Sequence, residues 1–124
     1  MGTYYRIVNH ATKERIEPDC IGSGGLKERA MIGGAAGRLF MFLHIWGDSH
    51  KWEMLHDCGD EYYQSAAYKN VTSDKAKEFN EFYPEMWIDL HADSSGVNWE
   101  KSQNPRPDDW EQKYGAHGVR REMF

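Results

Sequence analysis

The longest apolar stretch of the sequence, LFMFLHIW from Leu39 to Trp46, constrains the fold more than any other feature. A membrane-spanning helix needs about 20 apolar residues, so this stretch is too short to cross a bilayer. Four of its apolar residues recur at helical spacing: Leu39, Phe42, Leu43 and Trp46. Phe40 and Met41 fill the other faces, and Gly47 can end the helix. We therefore predict a helix that is buried nearly all round, with a central strand as the alternative.

Length and composition indicate one folded domain. The 124 residues are 40% hydrophobic and 14% aromatic, which is enough for one core and argues against global disorder. The formal net charge is −5, whereas a general nucleic-acid binder needs a basic surface. The chain has two cysteines, Cys20 and Cys58, and no apolar leader after a positive charge. We expect a cytoplasmic protein in a reducing environment.

Four segments carry the pattern of β-strands. TYYRIVN, from Thr3 to about Asn9, is followed by RIEP, and Pro18 would end this return strand, so the two predict a hairpin. HKWEMLHDC alternates over residues 50–58, and MWIDLH over residues 86–91 predicts a last strand.

Two further helices are predicted. LKERAMI, residues 26–32, can form two turns, and DKAKEFNEFY, residues 74–83, can be capped by Thr72 or Ser73. Its apolar stripe is Ala76, Phe79 and Tyr83. GDEYYQSAAYKN, residues 59–70, is expected to form a loop with room for one helical turn.

This order of elements is typical of the α+β class. We predict a small, mostly antiparallel sheet with two or three covering helices, in a domain of residues 1–91. Beyond it the composition becomes polar and turn-rich, which indicates a C-terminal extension over residues 92–124. DDWEQKYG can form a short helix in this extension, over residues 108–114.

Short motifs in three segments occur in the same order in a known group of proteins. YYRIVNHATKERIEP resembles a Tyr-rich opening strand, Y-R-I-V-N-H-T-K, that is followed by an acidic residue and Pro. IWGDSHKWEMLHDCGDEYY is similar to a W-x-G-D segment with a strand, G-D and Tyr, and YKNVTSDKAKEFNEFY to a final helix. The matching positions are Trp46, Gly47, Asp48, Gly59 and Asp60. The chain thus resembles, over about residues 3–84, a group of small bacterial and phage proteins without an assigned activity. The resemblance implies one small domain of that origin and gives no catalytic residue.

The histidines between residues 44 and 58 raise the question of a metal site. His50 and His56 would lie about 20 Å apart on one strand, too far for one ion. His56 and Cys58 would share a strand face, but zinc needs three or four ligands, and the others would have to come from His10, Cys20 or His91. We therefore expect no metal and no cofactor, with His56 and Cys58 packed on the core side.

A catalytic interpretation of the same segment uses four residues: His56, Asp57, Cys58 and Asp60. A cysteine nucleophile needs a histidine within hydrogen-bond reach. The carboxylates of Asp57, Asp60 and Glu61 could act as acid or base, or hold a divalent cation at the strand end. No flanking motif supports this chemistry. A small hydrolase or nucleotide-handling enzyme is therefore the alternative function, and His10 would join the cluster if the first and third strands are neighbours.

Small size and the lack of catalytic motifs favour a non-catalytic protein-interaction or regulatory module. Three aromatic residues of the extension could anchor a protein partner: Trp99, Trp110 and Phe124. A tail that folds back on its own core is the alternative for them, and homodimerisation is a simpler form of the same function. A nucleic-acid partner would need a basic patch such as Arg6, Lys13 and Arg15, and we expect neither that partner nor a membrane.

Overall fold

The computed structural model describes residues 4–21, 34–47, 51–90 and 104–115, and it confirms a small α+β fold. The strands are β1 (Tyr5–Asn9), β2 (Glu14–Ile16), β3 (Glu53–His56) and β4 (Lys69–Asn70). The helices are α1 (Ala35–Trp46), α2 (Asp60–Gln64), α3 (Thr72–Phe82) and α4 (Trp110–Tyr114). Single 3₁₀ turns lie at Pro18–Cys20, Ser65–Ala67 and Pro84–Met86. Among the described helices, none has the length and apolarity to cross a bilayer.

The sheet has four strands in the order β3-β1-β2-β4, so the N-terminal hairpin lies in its middle. β1 pairs antiparallel with β2, where Ile7 is opposite Ile16, and with β3, where Ile7 is opposite Met54. β4 pairs parallel with β2. The hairpin is as predicted, whereas β4 lies in the segment that we expected to form a loop.

The hairpin turn is built by a buried asparagine. Asn9 is 1% exposed, and its Oδ1 accepts hydrogen bonds from the backbone N–H groups of Ala11 (3.0 Å) and Thr12 (3.2 Å). Lys13 has φ 59°, a left-handed conformation that costs a non-glycine residue about 1–2 kcal/mol. The hydrogen bonds of Asn9 offset this cost and fix the position of His10 between the two strands.

Both faces of the sheet are covered. Along β1, Ile7 points to one face and Val8 to the other, and both are 0% exposed. The face of Ile7 packs against α1 and α3, through residues that include Leu39, Phe42, Ala76 and Phe79. The face of Val8 packs against Leu55 of β3 and Tyr62 of α2. The hydrophobic run of β1 therefore reflects a strand that is buried on both sides.

Helix α1 ends at the predicted residue but does not have the predicted burial. Gly47 ends it by donating its N–H to the carbonyl of Leu43 (3.1 Å), and a Cβ at Gly47 would lie 2.2 Å from that oxygen. Met41, Ile45 and Trp46 are more than half exposed, so the prediction of a helix buried nearly all round is wrong. Leu39 and Phe42 face the sheet and α3. The side of a surface helix that faces away from the core stays exposed to solvent.

The start of α3 also differs from the prediction. Thr72 does not cap the helix, because it is already the first helical residue. Asn70 Oδ1 accepts hydrogen bonds from the Thr72 N–H (3.0 Å) and hydroxyl (2.6 Å). The Thr72 hydroxyl oxygen in turn accepts from the N–H of Glu17 (2.8 Å), which ties the end of β2 to α3.

The strand predicted for residues 86–91 is absent from residues 86–90, and His91 lies outside the described residues. Ile88 and Leu90 are buried, but Leu90 makes an isolated bridge with Ile21 and is not part of a strand. The amide of Asn80 pairs with both backbone groups of Ile88, and Asn104 Nδ2 donates to the Ile88 carbonyl (3.1 Å). Side-chain amides thus satisfy the backbone that a neighbouring strand would otherwise satisfy.

Part of the C-terminal extension packs on the domain. Helix α4 falls within the predicted 108–114 segment, and Trp110 is 3% exposed. Its indole N–H donates to the carbonyl of Pro84 (2.6 Å), which matches a tail that folds back on its own core. The predicted helix over residues 26–32 lies outside the described residues.

Candidate functional site

The predicted catalytic residues lie on an exposed turn. His56 is the last residue of β3 and Cys58 follows in the turn, so the strand ends before both can share a face. Both are exposed, and the prediction that they pack on the core side is wrong. The backbone N–H of Cys58 donates to His56 Nδ1 (3.3 Å), whereas the thiol lies 3.9 Å from Asp57 Oδ1. Asp60 is exposed at the start of α2, where its charge favours the helix N-terminus.

This arrangement lacks the features of a nucleophilic site. The Cys58 thiol is directed at a carboxylate, whereas a cysteine nucleophile needs contact with a base that removes its proton. Three clefts between described residues, of about 260, 270 and 380 Å³, are lined by none of these four residues. The alternative of a small enzyme therefore stays a prediction without support from the geometry.

His10 lies far from this turn. β1 and β3 are neighbours, as the enzyme interpretation required, but the antiparallel register pairs Tyr5 with His56 and Val8 with Glu53. His10 follows Asn9, which lies roughly 13 Å along β1 from Tyr5. It is therefore at the opposite end of β3 from His56, beside Glu53.

The other predicted residues are dispersed. His44 is exposed on α1, with Nδ1 3.0 Å from the carbonyl of Phe40. Trp110 is buried in the fold, and this position leaves it unable to anchor a partner. His50, His91, Trp99 and Phe124 lie outside the described residues.

The arginines of the hairpin form contacts within the fold. Arg6 Nε and Arg15 Nε lie 2.8 and 2.9 Å from the same oxygen of Glu17, and their side chains are only 12% and 17% exposed. The Arg6 guanidinium also stacks 4.3 Å from the ring centroid of Tyr62. Burial raises the pKa of Tyr62 above its usual value, and the positive charge of Arg6 opposes this shift. These two arginines therefore hold β1, β2 and α2 together and do not form an exposed basic patch.

An exposed apolar surface lies where α1 meets α3. We call it the α1–α3 face, and its exposed members are Met41 (57%), Ile45 (61%), Trp46 (54%) and Phe82 (52%). Between the helices runs a groove of about 380 Å³, whose floor includes Phe42, Phe79, Tyr83 and Met86. Gly37 and Arg38 line the same groove, and burial lowers the pKa of Arg38.

Aromatic packing gives this face a defined shape. Trp46 stacks on Phe82 with ring centroids 5.7 Å apart, and its indole N–H donates to the Tyr83 hydroxyl (2.7 Å). Phe42 contacts Phe79 and Phe82 edge to face, each at 5.3 Å. Aromatic pairs of this kind add about 0.5–1.5 kcal/mol each beyond their buried area. The exposed rings are thus held in place before any partner arrives.

A second cluster joins three side chains that could hold a cation. His10 Nε2 lies 2.6 Å from Glu53 Oε1 and 3.9 Å from Glu61 Oε2. Within the described residues, these three form the only group of three His, Cys, Asp or Glu donors close enough to share an ion. On the other side of the imidazole ring, Nδ1 lies 2.7 Å from the Tyr68 hydroxyl.

Sequence reasoning named His10 as one ligand among several and Glu61 as a carboxylate that could hold a divalent cation, but it did not combine the two and did not find Glu53. The pairing of β1 with β3 brings Glu53 next to His10. The position of α2 in the fold brings Glu61 near the same histidine. Part of the α1–α3 face lies in the apolar run that we assigned to the core. The sequence pattern that indicates it is the pair Met41 and Ile45, which are four residues apart and lie outside the helical stripe of Leu39, Phe42 and Leu43.

Comparison with known proteins adds no assignment: no protein-family model, no curated protein and no solved structure matches this chain. The resemblance to small bacterial and phage proteins therefore stays a prediction.

Proposed function

We propose that this protein is a non-catalytic interaction module and that its α1–α3 face binds a second copy of the chain. The observation that carries the proposal is the contiguous face of four large apolar side chains, each more than half exposed. Isolated exposed apolar residues are ordinary on protein surfaces, whereas a contiguous patch marks an interaction site.

The size of the face supports a stable contact. A large side chain that is half exposed offers roughly 100 Å² for burial, so four of them offer roughly 400 Å² in each copy. Two copies would bury about 800 Å² of apolar surface, which is half of a standard interface of about 1,600 Å². The polar residues around the face would supply the remainder, as they do in the rim of most interfaces.

The shape of the face supports a second copy as the occupant. An interface with two-fold symmetry needs both a protruding part and a matching groove on the same surface. Met41 and Ile45 protrude from α1 four residues apart, which is the spacing of anchors that enter a helix-lined groove. Both residues form part of the lining of the groove between α1 and α3, so α1 of each copy can pack against the groove of the other.

Charge does not oppose this arrangement. The chain carries a net charge of −5, but the residues that line the groove include no carboxylate, and Arg38 is their charged member. No two carboxylates would therefore meet inside the groove.

The test is the molar mass in solution, measured by light scattering across a concentration series. We expect twice the chain mass of 14.4 kDa. Ile45→Glu should raise the dimer Kd by about 100-fold or more, because an unpaired buried charge costs about 3–5 kcal/mol. The matched control is Tyr63→Glu, since Tyr63 is an equally exposed aromatic residue on α2. Circular dichroism should show both variants folded.

Two results would contradict the proposal. A monomer at every concentration rules out the second copy, and a crosslinking experiment in host extract, with Ile45→Glu as the control, then asks whether another protein covers the face. Equal loss of the dimer in Tyr63→Glu and Ile45→Glu would place the contact elsewhere.

A further inference from the structure

We propose that His10, Glu53 and Glu61 form a binding site for a divalent first-row transition metal ion, independent of the α1–α3 face. The three donor atoms lie within 4.8 Å of one another. In a tetrahedral zinc site with bonds of about 2.0–2.1 Å, neighbouring ligand atoms are roughly 3.3 Å apart. The His10 Nε2 distances of 2.6 Å to Glu53 and 3.9 Å to Glu61 lie on either side of this value. Small rotations of the two exposed glutamates therefore bring all three donors to one ion.

The surroundings of the imidazole nitrogen favour a cation as its partner. His10 Nε2 is itself buried, although the side chain is 38% exposed, and it has no hydrogen-bond partner among the described residues. Glu53 Oε1 is close enough for an ion pair, but it does not lie in the direction of an N–H···O hydrogen bond. When Nδ1 donates its hydrogen to Tyr68, Nε2 presents a lone pair to the two carboxylates. Three lone-pair donors at this spacing repel one another unless a cation lies between them.

The tyrosine that holds the imidazole strengthens the assignment. The Tyr68 hydroxyl lies 2.7 Å from Nδ1, and its ring meets the His10 ring edge to face at 5.6 Å. Metal-binding histidines commonly use their second nitrogen in this way, because the contact fixes the tautomer and aims the ligating nitrogen. The Asx turn of Asn9 fixes the backbone of the same residue.

The donor types select the class of ion. Imidazole suits zinc, cobalt, nickel and other first-row metals, whereas magnesium and calcium prefer sites made of oxygen alone. Three protein ligands would leave one position of a tetrahedral ion to water. The ligands come from the turn after β1, from β3 and from the first turn of α2, so a bound ion would tie these elements together and stabilise the fold.

The experiment is a calorimetric titration of the untagged chain with Zn²⁺, with Mg²⁺ as the competing ion. We expect one saturable site and a higher Tm with Zn²⁺ alone. Glu53→Gln and Glu61→Gln should each weaken binding at least tenfold, and their exposure preserves the fold. Tyr68→Phe should weaken it roughly tenfold, as expected for a residue that orients a ligand.

The matched control removes the two candidate donors of the exposed turn after β3. Cys58→Ser combined with His56→Ala should leave the affinity within twofold of the native value. With Co²⁺ in place of Zn²⁺, the absorption spectrum should lack the charge-transfer band of a thiolate ligand. Binding should weaken in acid, because protons compete for the imidazole. Ile45→Glu should bind Zn²⁺ as the native chain does, which separates this site from the proposed dimer.

Three results would overturn the inference. The first is the absence of saturable binding, which would leave an ion pair between a protonated His10 and the two glutamates. The second is native affinity in both Glu→Gln variants, and the third is loss of binding in the Cys58 and His56 control.

Discussion

Asn80 is a polar side chain inside the core, and its replacement by alanine tests how the segment after α3 is held. It is 4% exposed, its Oδ1 accepts the N–H of Ile88 at 2.7 Å, and its Nδ2 donates to the Ile88 carbonyl at 3.0 Å. In Asn80→Ala the carbonyl keeps the amide of Asn104 as a donor at 3.1 Å. The N–H of Ile88 loses its acceptor in a place that water does not reach.

The expected cost follows from these contacts. A buried N–H without an acceptor costs about 1–3 kcal/mol, and the void left by the amide adds about 1 kcal/mol. Alanine has a higher helix propensity than asparagine, which offsets about 0.5 kcal/mol of this loss of stability. We therefore expect the free energy of unfolding to fall by about 2 kcal/mol, which lowers the Tm by roughly 8 °C for a chain of this size.

The assay is urea unfolding followed by circular dichroism and by tryptophan fluorescence. The midpoint should fall while the m-value stays unchanged, because the same surface is exposed on unfolding. Lys77→Ala is the control: this residue is exposed on the same helix, and its replacement should change stability by less than about 0.5 kcal/mol. A loss below about 0.5 kcal/mol in Asn80→Ala, or an equal loss in Lys77→Ala, would refute the reasoning.

Two further predictions concern Tyr62 and the cysteines. Burial raises the pKa of Tyr62 above its usual 10.0, so the unfolded chain loses this proton first and stability falls as the pH rises above about 10. Tyr62→Phe should reduce that alkaline loss in urea titrations at several pH values, and Tyr63→Phe, with a ring 63% exposed, should not. Cys58 is exposed and Cys20 is 5% exposed, so Ellman's reagent should modify one thiol in the native chain and the second only after denaturation. Rapid reaction of both thiols would contradict the burial of Cys20.

The elements that local patterns define were predictable. The β1–β2 hairpin followed from a β-rich run, a polar turn and Pro18, and α3 followed from the spacing of Ala76 and Phe79. These signals arise from the spacing of buried and exposed residues within each element, so nearby residues are enough to reveal them.

Features that depend on distant partners were not predictable in this way. β4 consists of Lys69 and Asn70, which show no β pattern, and it forms because the Lys69 N–H donates to the Lys13 carbonyl (2.9 Å). The segment at Ile88 has the sequence pattern of a strand, yet its backbone forms hydrogen bonds with the side-chain amides of Asn80 and Asn104. In both places a tertiary contact determines the local structure.

The candidate sites show the same limit. An apolar run indicates that burial is needed, but it does not say how many helices cover it, so Met41 and Ile45 were assigned to the core. His10 and Glu53 are neighbours only through the strand register, which the sequence alone did not provide.

The order of the strands has a consequence for synthesis on the ribosome. The hairpin that emerges first becomes the centre of the sheet, and its neighbours β3 and β4 are made much later. At 5–20 residues per second, the roughly 40 residues from the end of β2 to the end of β3 take about 2–8 s. A two-stranded hairpin is only marginally stable by itself, so Val8 stays uncovered until Leu55 of β3 has been made. A chaperone, or the edge of another nascent chain, therefore has several seconds in which to bind there.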